Sequence, residues 1–486
     1  MTNAVVALVA WLFVGMGCAP PAVSLPEGGG GSEDDGVEPG DDDDSAEPGD
    51  DDDSASGGDD DDSASGTPCD LHLSPTGTGG GDGSVDFPWP SLAEAAEAGL
   101  LPPAGGVVCL LPGHHGAPVL ENLSPSSMLE LRAWPEFGAV VASLAFERVQ
   151  LVTVDGLVVD GSTLVDPGQD QRGVFLVRGD LNTSDITLRG LLVESAVSST
   201  SWTWQDWTDL AFSGIDFRGP AIHIEDSVVR NVHHALSVRG DGSTVVGNLI
   251  DNFGGDGIRG HGSGSLYEWN TVRDAYIDEY EVQHDDGFQA YRLEGEDLRI
   301  ADVVIRHNRF LLFTDPITQF VLDEELVGTL MQGIIVTDGY ADGWIVENNL
   351  VVNAHAHGIT LYGGRNCRVQ GNTVVRHPAF VAETGPWVRI ADQTKSNHAN
   401  FDNVIRNNLT TMLTPWDYDS TSLVEANLEV EDPETEFMDA AGFDFTPALG
   451  SPAVDTGIAT DLVSVDLAGA ARLVGASVDV GAFERP

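Results

Sequence analysis

Between Thr244 and Arg273 the chain reads TVVGNLIDNFGGDGIRGHGSGSLYEWNTVR, and its two asparagines Asn248 and Asn270 each follow an apolar residue, Val245 or Tyr267, by three positions. The same unit returns at Asn308, Asn349, Asn372 and Asn408, behind Ile305, Val346, Val369 and Ile405. The spacing is 22 residues from Asn248 to Asn270 and 23 from Asn349 to Asn372, with loop insertions accounting for the longer gaps. Such a period suits one coil of a parallel β-helix, in which each short strand pairs with its counterpart one coil on and Val, Ile and Leu stack inward. The asparagines are then a structural column, placed at turns where Asn adopts positive φ and bonds the Asn on the next coil.

A second column fixes the register: Gly257-Ile258, Gly287-Phe288, Gly333-Ile334 and Gly358-Ile359. Glycine is expected to make a bend and the next apolar residue to point inward. Alternation along the strand then sends Arg259 and His261, Gln289 and Tyr291, Ile335 and Thr337, and Thr360 and Tyr362 outward, as one exposed sheet face.

Ahead of the coils, Ser91 and Glu94 form a capping-box pattern opening the Ala-rich segment SLAEAAEAGLL, a short helix suited to covering the open end of a solenoid. The segment from Leu71 to Gly113 resembles the N-terminal cap of bacterial right-handed parallel β-helix proteins. The coils from about 146 to 415 resemble their repeats, the fold of the pectate-lyase-like superfamily, and the ending GSPAVDTG...DVGAFE is similar to the tail of many such secreted helices. The resemblance implies an all-β, right-handed parallel β-helix with a small N-terminal capping helix. For activity it implies less, because this scaffold carries lyases, hydrolases, epimerases and adhesins. The expected organisation is an export signal over 1–18, a linker over 19–67, a cap with the first coils over 68–145, the β-helix over 146–415 and a tail over 416–486.

With 22 Lys+Arg against 78 Asp+Glu and a net charge of -56, a general phosphate-binding surface is excluded, and with it a nucleic-acid partner. The run AVVALVAWLFVGMGC is too short to span a bilayer and reads as a secretory signal. Gly15-Met16-Gly17-Cys18 resembles the lipobox of bacterial lipoproteins, which implies a lipidated Cys18 and a membrane contact through that anchor alone. Unmodified cleavage is the alternative. From Glu27 to Gly66 there are 18 acidic and no basic residues, with DDDDSA starting at Asp41, Asp50 and Asp59. Such a segment buries no core and self-repels into an extended, disordered stalk. The expected location is the cell surface or outside, as a monomer. In that oxidising setting Cys69 and Cys109, near the ends of the first two predicted strands, can form a disulfide, leaving Cys367 as a buried core residue.

The residues just before the second-column glycines are Asp256, Asp286, Gln332 and His357, one coil apart and so about 4.8 Å apart where coils are adjacent. Two carboxylates that close share a proton or hold a cation; calcium is the candidate, with Asp256, Asp285 and Asp286 as ligands. His284, Asp285, Gln289 and Tyr291 enlarge the patch, and insertions at 276–283 and 314–331 are placed to wall a groove. A polysaccharide lyase would need a group to neutralise a uronate, from Arg259, Arg389 or the cation, and a base, from Lys395, His284 or Tyr291. Lys395 is the only lysine. A glycoside hydrolase would use Asp256 and Asp286 as acid and base. Gln289, Tyr291, Arg259, Gln332, His357 and Arg389 are the expected polysaccharide contacts. Two alternatives stay open: Asp and Gln here satisfy turns, and the chain is a noncatalytic adhesin or structural solenoid. Trp202, Trp204 and Trp207 lie in an expected insertion loop, either stacking on sugar with Trp202 and Trp204 on one face, or packing the loop onto the barrel.

Overall fold

A computed structural model describes residues 68–166, 168–276, 285–292, 297–314, 331–353, 355–377, 385–459 and 463–486. Within them the chain coils through three long sheets of 13, 12 and 11 strands, called here first, second and third in the order each coil visits them. One coil runs through Thr244–Val246, Leu249–Phe253 and Ile258–Gly260 before Leu266–Glu268 returns to the first sheet. Every pairing in these sheets is parallel and joins neighbouring coils. This is a right-handed parallel β-helix. Val245, Tyr267, Ile305, Val346, Val369 and Ile405 are mutual register partners down the first sheet, each wholly buried. The core is therefore one continuous stack of apolar rungs.

The asparagines form the column, with a chemistry more specific than turn formation. Asn248 donates both its backbone N–H and its Nδ2 to Asn270 Oδ1, each at 3.0 Å. The same pair of hydrogen bonds repeats from Asn270 to Asn308, Asn349, Asn372, Asn408 and on to Asn427. The expected positive φ belongs to the residue before each Asn: Gly247, Trp269, His307, Asn348, Gly371, Asn407 and Ala426. The left-handed residue turns the chain, which leaves the following amide free to lie flat between coils.

The second-column glycines are also needed for a different reason. None of Gly257, Gly287, Gly333 and Gly358 is in the left-handed region. A Cβ on Gly333 would lie 2.1 Å from the Gly358 carbonyl oxygen, and one on Gly257 2.5 Å from Val272. Close approach, not a bend, demands glycine here. Ile258, Phe288, Ile334 and Ile359 follow them in register and are wholly buried.

At the N-terminal end a helix, Leu92–Glu97, starts with a complete capping box between Ser91 and Glu94. Its Leu92 and Ala95 join the core with Leu73, Val108 and Leu120. A disulfide joins Cys69 to Cys109, and Cys367 is a buried free thiol whose pKa burial pushes up to about 12. At the other end the coils run past residue 415, to Leu428–Glu429. The tail then doubles back along the corner between the first and second sheets. There Val465, Leu467 and Ile458 carbonyls accept from His307, Arg309, Asn348 and Asn407.

Candidate functional site

The site develops at the corner where each coil enters the third sheet. The register Ile215, Leu236, Ile258, Phe288, Ile334 places Ser213, His234, Asp256, Asp286 and Gln332 two residues earlier, one per coil. The first three side chains bond across coils. Ser213 Oγ accepts from the His234 N–H at 3.3 Å, His234 Nδ1 from the Asp256 N–H at 3.0 Å, and Asp256 Oδ1 from the Asp286 N–H at 3.1 Å. Asp256 and Asp286 are 3% and 0% exposed. The expected solvent-facing carboxylates are thus interior groups, because the corner lets side chains of adjacent coils close over one another.

Arg259 donates through Nε to Asp256 Oδ2 at 2.5 Å and places its Nη2 3.0 Å from His234 Nε2. Gln289 Nε2 donates to Asp286 Oδ2, while Asp286 Oδ1 and Gln332 Oε1 are buried with no hydrogen-bond partner among the described residues. Burial raises the pKa of both aspartates, and the Asp256 charge pushes Asp286 up further. The Arg259 guanidinium bonds Asp256 directly and opposes the rise only weakly at Asp286, so Asp286 is the more readily protonated of the two. Burial holds the His234 imidazole neutral, well below the usual histidine range.

This has a consequence for stability. A carboxyl raised in the folded state contributes stability that is fully present below its unfolded pKa of about 4 and lost as pH rises through the folded value. We predict that Asp286→Asn, which keeps shape and removes titration, flattens the fall in unfolding free energy above about pH 4 relative to the wild-type chain. Urea melts of both proteins between pH 4 and 8 check it; parallel curves would contradict the assignment.

The remaining expected site residues scatter. Tyr291 packs edge-on to His261 at 4.3 Å and its carbonyl accepts from His261 Nδ1; burial lowers the His261 pKa to about 4. His357 bonds Thr360 Oγ1, as does Trp387 Nε1. Arg389 lies in the row of Gln289 but three coils on, held by Asp417 at 2.9 Å and stacked over Tyr362 and Trp387. Lys395 is 70% exposed and paired with Asp338 at 2.9 Å; it is not a member of the cluster. His284 and the segments 277–284 and 315–330 lie outside the described residues. Asp285 precedes the strand and its carbonyl accepts from the Gln332 N–H. Among the described residues no three His, Cys, Asp or Glu side chains come together to hold a metal; the group facing Asp256 is a guanidinium.

The outward face is less open than alternation implies. His261, Ile335 and Thr360 are buried, while Arg259, Gln289, Tyr291, Thr337 and Tyr362 are partly covered. The tryptophan segment is not an extended loop but a helix, Trp204–Leu210, capped by Thr203 and Asp206. Trp207 is buried, stacked on Tyr276 and edge-on to Trp202, and Trp204 faces solvent. A Cβ on Gly254 would come 3.0 Å from Trp207, so this helix packs on the stretch leading into Asp256.

Sequence reasoning missed His234 and three arginines upstream. Arg178, Arg218, Arg239 and Arg259 each precede a glycine on four successive third-sheet coils. Arg218 and Arg239 both bond Asp216, at 3.3 and 3.0 Å, and Arg178 pairs with Glu147 at 3.1 Å. A cavity of about 520 Å³ opens here, lined by Arg178, Asp180, Asn182, Asp216 and Arg218 among others. The recurring Arg-Gly pair was the available signal.

The family model described as right handed beta helix region matches residues 213–408. Among curated proteins none matches this chain. Similar solved structures include the following three. Pectate lyase Pel9A is 13% identical with a TM-score of 0.45, covering 85% of this chain and 96% of that one. The mannuronan C-5 epimerase AlgE6 A-module of Azotobacter vinelandii is 13% identical at 0.43, covering 69% and 84%. A rhamnogalacturonan lyase is 13% identical at 0.41, covering 76% and 90%.

Proposed function

We propose that the outer face of the third sheet binds polysaccharide and that Asp286 and Asp256 act on it as a proton donor and its charged partner. The observation that carries this reading is the polar strip itself. Arginine–carboxylate pairs at Arg178, Arg218, Arg239 and Arg259 lead to the Asp256–Asp286 pair, and Arg389, Tyr362 and Trp387 follow. Its eight strands span about 34 Å at about 4.8 Å per coil, the length of several sugar units. Indole and phenol rings stack on sugar faces, and guanidinium and carboxylate groups fix hydroxyls.

Hydrolysis fits the cluster better than elimination. Carboxylates on adjacent coils stand about as close as the pair of a retaining glycosidase, whereas Lys395 and Arg389 are bound elsewhere. Asp286, at 0% exposure, favours a second reading, a noncatalytic adhesin whose ladder only stiffens the corner. Incubating the chain with uronate-containing and neutral glycans, and recording both reducing ends and the absorbance of unsaturated products, separates these readings. New reducing ends without unsaturated products, lost in Asp286→Asn, support hydrolysis; unsaturated products support elimination; binding without either product supports the adhesin.

The placement of the protein belongs to the same proposal: a monomer exported and tethered through lipid on Cys18, with the acidic linker as spacer. Cys18→Ser is expected to move it from the membrane fraction to the soluble one and to abolish labelling by fatty acid. Retained labelling would sink the anchor.

A further inference from the structure

We infer that the glycan taken by this face is an uncharged, hydroxyl-rich chain and not a polyuronate; the inference rests on the carbohydrate reading above. Every arginine of the strip is already matched to a carboxylate. Arg178 meets Glu147, Arg218 and Arg239 share Asp216, Arg259 meets Asp256 and Arg389 meets Asp417. Asp180 adds a further acidic group to the wall of the cavity between Arg178 and Arg218. The strip therefore presents donors and acceptors side by side with little net charge. A sugar hydroxyl both accepts and donates, so it can take an N–H from the guanidinium and give its own proton to the neighbouring carboxylate. A ligand carboxylate can only accept. It would have to displace Glu147, Asp216 or Asp417 from its arginine and then stand beside the displaced charge.

The remainder of the fold weighs the same way. Taking the 18 acidic residues of 27–66 from the total of 78 leaves 60 against 22 basic ones, a net charge of -38 on the chain outside that segment. A polyanion that comes within about a Debye length of such a surface is repelled by it. At the far end the ligand would meet Trp387 and Tyr362, whose rings hold the Arg389 guanidinium at 5.2 and 5.5 Å. Stacking on that platform needs an apolar sugar face and no charge.

The test is the affinity of the full chain for neutral polysaccharides (a galactan, a mannan, a β-glucan) and for polygalacturonate and alginate, measured at 20 and 300 mM salt by affinity electrophoresis and calorimetry. Asp216→Asn and Arg218→Gln are measured beside it, the second at a guanidinium more than half exposed, so that one variant folds whatever the first does. The expected result is a neutral glycan bound at least tenfold more tightly than either polyuronate, with less than a twofold effect of salt. Both variants should weaken that binding several-fold. Tighter binding of a polyuronate, falling steeply with salt and strengthened by Asp216→Asn as two guanidinium groups are released, would overturn the inference while leaving the carbohydrate reading intact. Binding of neither class would overturn that reading and the inference with it.

Discussion

Asn308→Ala is expected to destabilise the fold by about 4 kcal/mol, measured as the shift in urea unfolding at constant slope, although the residue touches no ligand in any reading. Asn308 is wholly buried. Its Oδ1 accepts both donors of Asn270, and its Nδ2 donates to the Tyr267 and Arg306 carbonyls and to Asn349 Oδ1. Alanine takes all five bonds away. Asn270 loses the acceptor of its backbone N–H, and the Tyr267 carbonyl loses a donor at the same buried corner. Each buried group left unpaired costs about 1 to 3 kcal/mol, and two such losses add to the void left by the amide. Asn427, at the end of the ladder and partly exposed, gives the comparison. Its loss unpairs the same kinds of group, the Asn408 N–H and the Ile405 carbonyl, but at a partly exposed end where water can replace the amide, so Asn427→Ala should cost about 1 kcal/mol. Equal effects at the two positions would mean that the ladder is not cooperative in the way its geometry requires.

The same column explains why the fold was readable. A coil repeats one chemical solution at one place, so Asn248 through Asn408 and the apolar residues three positions earlier stand out against insertions of any length. The site is less readable because its members obey two registers. Arg178 and Arg259 occupy one row of the third sheet and Arg218 and Arg239 stand two residues further along their coils, so that no single period links them. His234 was hidden for a simpler reason: its coil carries Ala235 where the later ones carry glycine, so it fell outside the column that pointed to Asp256 and Asp286. Burial was the other unreadable quantity. Alternation says which way a side chain leaves the strand, but Asp286 is covered by what Gln289 and the neighbouring coils do, and those contacts have no signature in spacing.

Phe288→Ala, two residues from Asp286, should cost about 3 to 5 kcal/mol through the lost apolar burial and the cavity left behind. The ring is wholly buried, edge-on to Tyr267 at 4.8 Å and to Trp344 at 6.2 Å, and Gly260 is kept small beside it, since a Cβ there would lie 2.4 Å from the ring. No backbone movement can refill that space without breaking the register of Ile258, Phe288 and Ile334. Asp286 needs the opposite expectation. Burial and the Asp256 charge push its carboxyl well above the usual carboxylate range, so Asp286→Asn should leave stability at pH 7 unchanged or higher, whereas Asp286→Ala opens a polar hole and should destabilise by about 1 to 3 kcal/mol. A chain that tolerates Asp286→Asn and fails with Phe288→Ala keeps its fold through the aromatic rung and is free to use the proton two residues away. If Asp286→Asn is as damaging as Phe288→Ala, the ionised carboxylate is itself part of the scaffold, and the chemistry of this face must be sought at the arginine–carboxylate pairs on either side.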